Sequence, residues 1–173
     1  MYKRQAIELL KKLLAERVTI YQKTNLVQAE KFSDLLNRAL SNYLKGLLTN
    51  EEVIQELLKL AAEISESENQ GNELGLTAEE KSFYDALTKP RAVQDIYTNE
   101  QLVAMTKELT DALRKNRTID WQKKESARAG MRRMIKRLLK KYKYPPEDAE
   151  NALETVIHQC EQWSDNDSDE YSI

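Results

Sequence analysis

Cysteine and histidine are nearly absent: the 173-residue chain has one of each, Cys160 and His158. A single cysteine excludes an internal disulfide and fits a reducing, cytoplasmic compartment. One histidine beside one cysteine argues against a zinc site, which draws its ligands mostly from those two residue types. Ser-His-Asp or Cys-His catalysis would need His158, Cys160 or both. On one helix the two point to different faces. His158 falls opposite the apolar stripe of its helix and is expected to be exposed. Four glycines and three prolines are too few for a sheet protein with many tight turns. No apolar run approaches the ~20 residues of a membrane span, and the opening MYKRQAIELLKK has no secretory h-region. No G-x-x-x-x-G-K-[ST] phosphate loop occurs. Acid pairs such as Glu51-Glu52 and Glu79-Glu80 stand at predicted helix starts, where the helix dipole explains them. No catalytic or metal-binding residue is singled out, and no cofactor is expected for this chain.

What the chain does have is charge, unevenly placed. Hydrophobic residues make up 40% and charged residues 32%, a composition that suits a helix-rich protein of one domain. Thirteen of the 27 basic residues lie within residues 114–143, with two of the 29 acidic ones, Asp120 and Glu125. A segment of net +11 therefore sits in a background of net −13, hidden by a total of −2. Asymmetry of this kind concerns partners.

The basic stretch reads as one amphipathic helix over 120–143. At 100° per residue, Ala127, Met131, Met134, Ile135, Leu138, Leu139 and Tyr142 share one arc, and Arg132, Arg133, Lys136, Arg137, Lys140 and Lys141 share the other. Asp120 is the expected cap, and Tyr144-Pro145-Pro146 the stop. Each long apolar side chain from Met131 to Leu139 contributes roughly 1.5–3 kcal/mol when buried, so that arc is core. The basic face is left to solvent or to a partner. With Arg114, Lys115 and Arg117 just upstream, it forms the candidate binding surface. Arg128 falls inside the apolar arc. It either snorkels near the helix start or pairs inward with a carboxylate.

Elsewhere the apolar spacing predicts six further helices. Ile7, Leu10, Leu13 and Leu14 mark the first, which breaks at Lys23-Thr24-Asn25. Ala29 to Tyr43 carries the second, ending near Gly46. Thr49 with Glu52, and Thr77 with Glu80, are capping boxes that open the third and fourth. Residues 65–76, SESENQGNELGL, read as a polar loop and hinge. Asn99 is the expected cap of the helix bearing Leu102, Met105, Leu109 and Leu113. Pro146 opens the last helix, whose stripe runs from Ala149 to Trp163. Trp121 and Trp163 flank helix ends as core or interface anchors. The tail, residues 164–173, is acidic without apolar period and is expected to be disordered. The expected fold is all-α: a single bundle-like domain of six or seven helices over 1–163.

Several stretches together carry a family resemblance: KTNLVQAEKFSDLLNRALSNYLKG, VIQELLKLAAEI, ELGLTAEEKSFYDAL and KELTDALRKNRTIDWQKKESARAGMRRMIKRLLKKYKYPP. The ordered pattern of GL..EE..FYDAL, then a TIDW, then KRLL.KY.YPP is long. It covers roughly residues 7–162 and resembles the C-terminal helical region of the R (motor and nuclease) subunit of type I restriction enzymes. Gly130, in a helix interior, departs from what a helix favours, and the residues before Ile7 match no part of it. The resemblance implies a parent that uses ATP and magnesium to translocate and cut DNA through domains N-terminal to this region. For this region it implies a docking module for the methyltransferase core of modification and specificity subunits, with DNA reached through the complex and no membrane involved. The alternative function is a stand-alone nucleic-acid-binding module using the basic helix. Lacking a phosphate loop and a metal-carboxylate cluster, the purified chain is expected neither to hydrolyse ATP nor to cut DNA. ATP turnover that a point substitution within the chain abolishes would contradict this.

Overall fold

A computed structural model describes residues 2–118 and 120–171, with side chains described through Ser164. The protein is all-α: the described residues form eight α-helices and one 3₁₀ turn, and no strand. They fall into two compact units, Met1–Gly75 and Leu76–Ile173, where the sequence suggests a single bundle.

The first unit is a three-helix assembly of α1 (Tyr2–Thr24), α2 (Leu26–Leu44) and α3 (Asn50–Glu73). Its closed core of Ile7, Leu14, Val18, Phe32, Leu36, Val53, Leu57, Leu60 and Ile64 is why it stands as a unit. Asn25 breaks the chain as expected and caps α2 by accepting from the Gln28 amide. Thr49 and Glu52 form the predicted capping box. The predicted loop over 65–76 is mostly helix, because α3 continues to Glu73. Low local propensity is overridden by α1: Arg17 pairs with Glu68, and the Tyr21 hydroxyl donates to the same carboxylate at 3.1 Å. Just past the helix end, Gly75 takes a φ of +70°, which disfavours any side chain.

The second unit holds α4 (Ala78–Thr88), α5 (Arg91–Ile96), α6 (Asn99–Asn116), the 3₁₀ turn Trp121–Lys123, α7 (Glu125–Lys141) and α8 (Pro146–Tyr171). Helix α4 packs on α6 and α8, and α7 packs on both of those. Helix α5 was not expected: its six residues bury only Val93, too short a stretch for periodicity to register. Thr98, not Asn99, caps α6, in a box with Gln101. The basic helix starts later than the spacing suggests. Asp120 adopts φ 58° and caps nothing with its side chain. The reason is Trp121, whose ring is 1% exposed and whose Nε1 donates to Ser164 Oγ at 2.9 Å. Sinking that ring turns the chain before α7 can begin. Trp163 Nε1 donates to Ser82 Oγ at 3.0 Å and ties α8 to α4, but it lies within α8 rather than at the helix end that the sequence suggests. The backbone of α8 is helical through Tyr171, past the end of the apolar stripe. The expectation for the acidic tail otherwise falls outside the described side chains.

Every residue from 81 to 88 is buried, including an ion pair between Lys81 and Asp85 at 2.5 Å with side chains 9% and 6% exposed. One helical turn separates the partners, and Lys81 also lies over the Tyr84 ring, 5.7 Å from its centroid. Removing one partner strands the other charge. Asp85→Ala is expected to lower stability by about 3–5 kcal/mol in urea titration, and joint replacement by Met and Leu by much less. Equal losses from the single and the joint substitution would contradict this reading.

Candidate partner interface on the basic helix

Helix α7 is oriented by its apolar arc. Met131, Ile135, Leu138 and Leu139 are buried, and Ala127, Met134 and Tyr142 are half-buried at its edges. The opposite arc carries the cations. The structure sorts the sequence-predicted residues by which neighbour each faces.

Along the α8 side the cations meet acids. Arg132 grips Glu154 with both guanidinium nitrogens, the second contact at 3.2 Å. That hydrogen bond holds the Glu154 carboxyl below the usual carboxylate range. Arg128, about a third exposed, pairs with Glu161, and its guanidinium also approaches the Gln122 carbonyl at 3.4 Å. Of the two readings of Arg128, the structure therefore shows the ion pair. Lys136 and Lys140 border a groove of about 230 Å³ between α7 and the start of α8, which also holds Glu150.

Along the α6 side acids are scarce. Glu108 is taken twice: Lys141 Nζ donates to it at 2.6 Å, and the Tyr142 hydroxyl donates to its other oxygen. The Lys141 and Tyr142 hydrogen bonds lower the pKa of Glu108, and its carboxylate in turn pushes the Tyr142 phenol up to about 12. A groove of about 640 Å³ opens here between α6 and α7, with Ala112, Ala127, Met131, Met134 and Leu138 among its lining and Arg133, Arg137 and Lys141 beside them. Gly130 also lines it. A Cβ at Gly130 would meet no described atom closer than Arg133 Nη2 at 4.0 Å, so no packing demand among the described residues explains a residue that costs a helix about 1 kcal/mol relative to alanine.

At the end of α6, Arg114 pairs with Glu79 at 3.0 Å. Arg117 lies beside Cys160, whose buried thiol is pushed up to about 12 by desolvation, the guanidinium opposing this in part. Such a thiol is not a nucleophile near neutrality. His158 is exposed as expected. Lys115, Arg133, Lys136, Arg137 and Lys140 are exposed and form no ion pair with any described residue. Of the nine predicted surface cations, then, these five remain open, while Arg114, Arg132 and Lys141 are engaged internally and Arg117 is half-buried. Sequence reasoning missed the acids Glu79, Glu108, Glu154 and Glu161, because which acid meets which base depends on helix packing. It also missed the groove. Gly130 inside an otherwise strong helix was the one signal available. Among the described residues no group of His, Cys, Asp and Glu side chains could hold a metal, and no helix is long and apolar enough to cross a membrane.

The family described as "Type I restriction enzyme HindI endonuclease subunit-like, C-terminal" matches residues 1–166. The chain belongs to this family. It is 39% identical over 156 residues to the type I restriction enzyme HindI endonuclease subunit of Haemophilus influenzae, covering 90% of this chain and 15% of that protein. It is 30% identical over 141 residues to the putative type I restriction enzyme MjaIXP endonuclease subunit of Methanocaldococcus jannaschii, covering 81% of this chain and 13% of that one. The chain therefore spans less than a sixth of either relative's length. No solved structure gives a significant match.

The Arg128–Glu161 pair is about a third and a quarter exposed, so solvent discounts it relative to a buried pair. Arg128→Ala is expected to lower stability by roughly 1–2 kcal/mol, against no more than about 0.5 for Lys136→Ala. Chemical denaturation of the two variants checks this, and equal shifts would mean the Arg128 pair contributes nothing.

Proposed function

We propose that this chain is the C-terminal docking module of a type I restriction endonuclease subunit, holding the parent on the methyltransferase core of modification and specificity subunits. On this reading the parent is an ATP- and magnesium-dependent DNA translocase and nuclease of the cytoplasm, and its motor and nuclease motifs belong to other parts of the polypeptide. The observation that carries the proposal is the set of open cations on α7, Arg133, Lys136, Arg137 and Lys140, in a family whose matched relatives are subunits of larger enzymes. Exposed ion pairs contribute only about 0–1 kcal/mol each, so folding alone does not call for so dense a cluster. A polyanionic surface nearby does.

The same cations favour a second reading, direct contact with nucleic acid through α7. Salt separates the two. Neutralising six to ten phosphates makes affinity fall about 10³–10⁵-fold between 50 and 200 mM salt. A docking surface with an apolar component falls much less. Arg133→Glu, Arg137→Glu and Lys140→Glu together are expected to leave the helical circular dichroism intact and to weaken association with the DNA-loaded methyltransferase core. The deficit should shrink as salt rises. Association as tight as that of the unaltered chain at low salt would move docking to another face.

A further inference from the structure

The α6–α7 groove has three features that a simple basic patch does not explain. Between the cations its lining is largely apolar, with Asn116 and Thr118 at one end, and the half-buried Met134 is a side chain that adapts to irregular partners. Gly130 exposes backbone there, and nothing in the described chain fills the space above it. A glycine kept in a helix interior is the residue that lets another backbone come close. Finally, Arg133 and Arg137 stand one turn apart on the rim, and the acid on that side, Glu108, is occupied by Lys141 and Tyr142.

We propose that this groove seats an acidic amphipathic helix of another protein, which makes its closest approach at Gly130 and pairs carboxylates one turn apart with Arg133 and Arg137. The inference rests on the docking reading and names the chemistry of the segment that docks. A channel between two adjacent helices fits a third helix, whose apolar stripe covers the floor while its flanks reach the rim. From Ala127 to Lys141 the groove is about 20 Å long at 1.5 Å per residue, or roughly four turns of a partner helix. A nucleic-acid duplex would meet the rim cations but leave the apolar floor in water. Charge complementarity and the apolar floor together favour the helix.

The test uses this chain and the methyltransferase assembly of its own restriction system, without DNA, by biolayer interferometry, with thermal melting of each variant alongside. Gly130→Leu is expected to melt no lower than the unaltered chain yet to bind at least tenfold more weakly. Gly130→Ala is expected to melt higher and to lose less binding. Asn116 is exposed at the groove's rim. Because Cys160 is buried, Asn116→Cys supplies the reactive thiol for a benzophenone label. The photo-crosslinked peptide should carry acidic residues three or four apart beside an apolar stripe. If Gly130→Leu binds as tightly as the unaltered chain, the groove is not the site, and the docking reading stands on another face. A crosslink to a segment without an acidic stripe, or only to duplex DNA supplied in a separate arm, overturns the partner class. If the unaltered chain does not bind the assembly at all, the docking reading fails and the groove proposal fails with it. Should Gly130→Leu melt lower, the Gly130→Ala affinity and the crosslink decide.

Discussion

Burial of Met131, Ile135, Leu138 and Leu139 against α6 and α8 fixes how α7 lies, and with it everything the helix shows to solvent. Side chains of this size contribute roughly 1.5–3 kcal/mol each on burial. Like charges one turn apart, such as Arg133 with Arg137 and Lys136 with Lys140, oppose the helix by only about 0.2–0.5 kcal/mol per pair. The apolar arc therefore wins by a wide margin. It lets a helix carry an unusual density of cations without losing its place in the fold. Position is set by the arc, and the cations follow from it.

Which cations stay open is then decided by the neighbours. Helix α8 brings Glu161 and Glu154 to Arg128 and Arg132, two turns of α8 meeting one turn of α7. Helix α6 brings Glu108, which Lys141 and Tyr142 consume. The chain has an excess of acids outside this segment, yet among the described residues of the second unit few of them pair with α7. Net charge does not predict this outcome, because a count carries no information about direction.

Helical periodicity made most of the elements readable: the Thr49 and Thr77 capping boxes, the Asn25 break, the α7 core arc and the apolar stripes all appear in the structure, apart from Leu13 of the first stripe, which is 48% exposed. Two of the departures share one cause. Residues 65–73 look like a loop by composition and become helix because Arg17 and Tyr21 of α1 hold Glu68. Asp120 looks like a cap and instead takes a left-handed turn because the Trp121 ring must reach the core. Both are tertiary contacts overriding local preference, and the contacts that decide them, Glu68 with Arg17 and Tyr21, and Trp121 with Ser164, join residues more than 40 apart in sequence. The candidate surface was readable as a set of residue types, and the Arg128 ambiguity was readable as an ambiguity. Its division into engaged and open cations was not, since that division lies in the packing of α6 and α8 on α7.

Glycine gives the last constraint on what the surface is for. The chain has four. Gly46 and Gly75 take positive φ and end helices, a task other residues perform with strain. Gly71 is buried within α3. Gly130 has an ordinary helical backbone in a strongly amphipathic helix, and among the described residues only Arg133 Nη2, at 4.0 Å, comes near where its side chain would be. Alanine there would strengthen the helix by about 1 kcal/mol with no clash. A position at which folding favours a different residue is one at which folding is not the only demand. It lies on the floor of the groove that Arg133 and Arg137 flank, where the approach of another chain supplies the demand that folding does not.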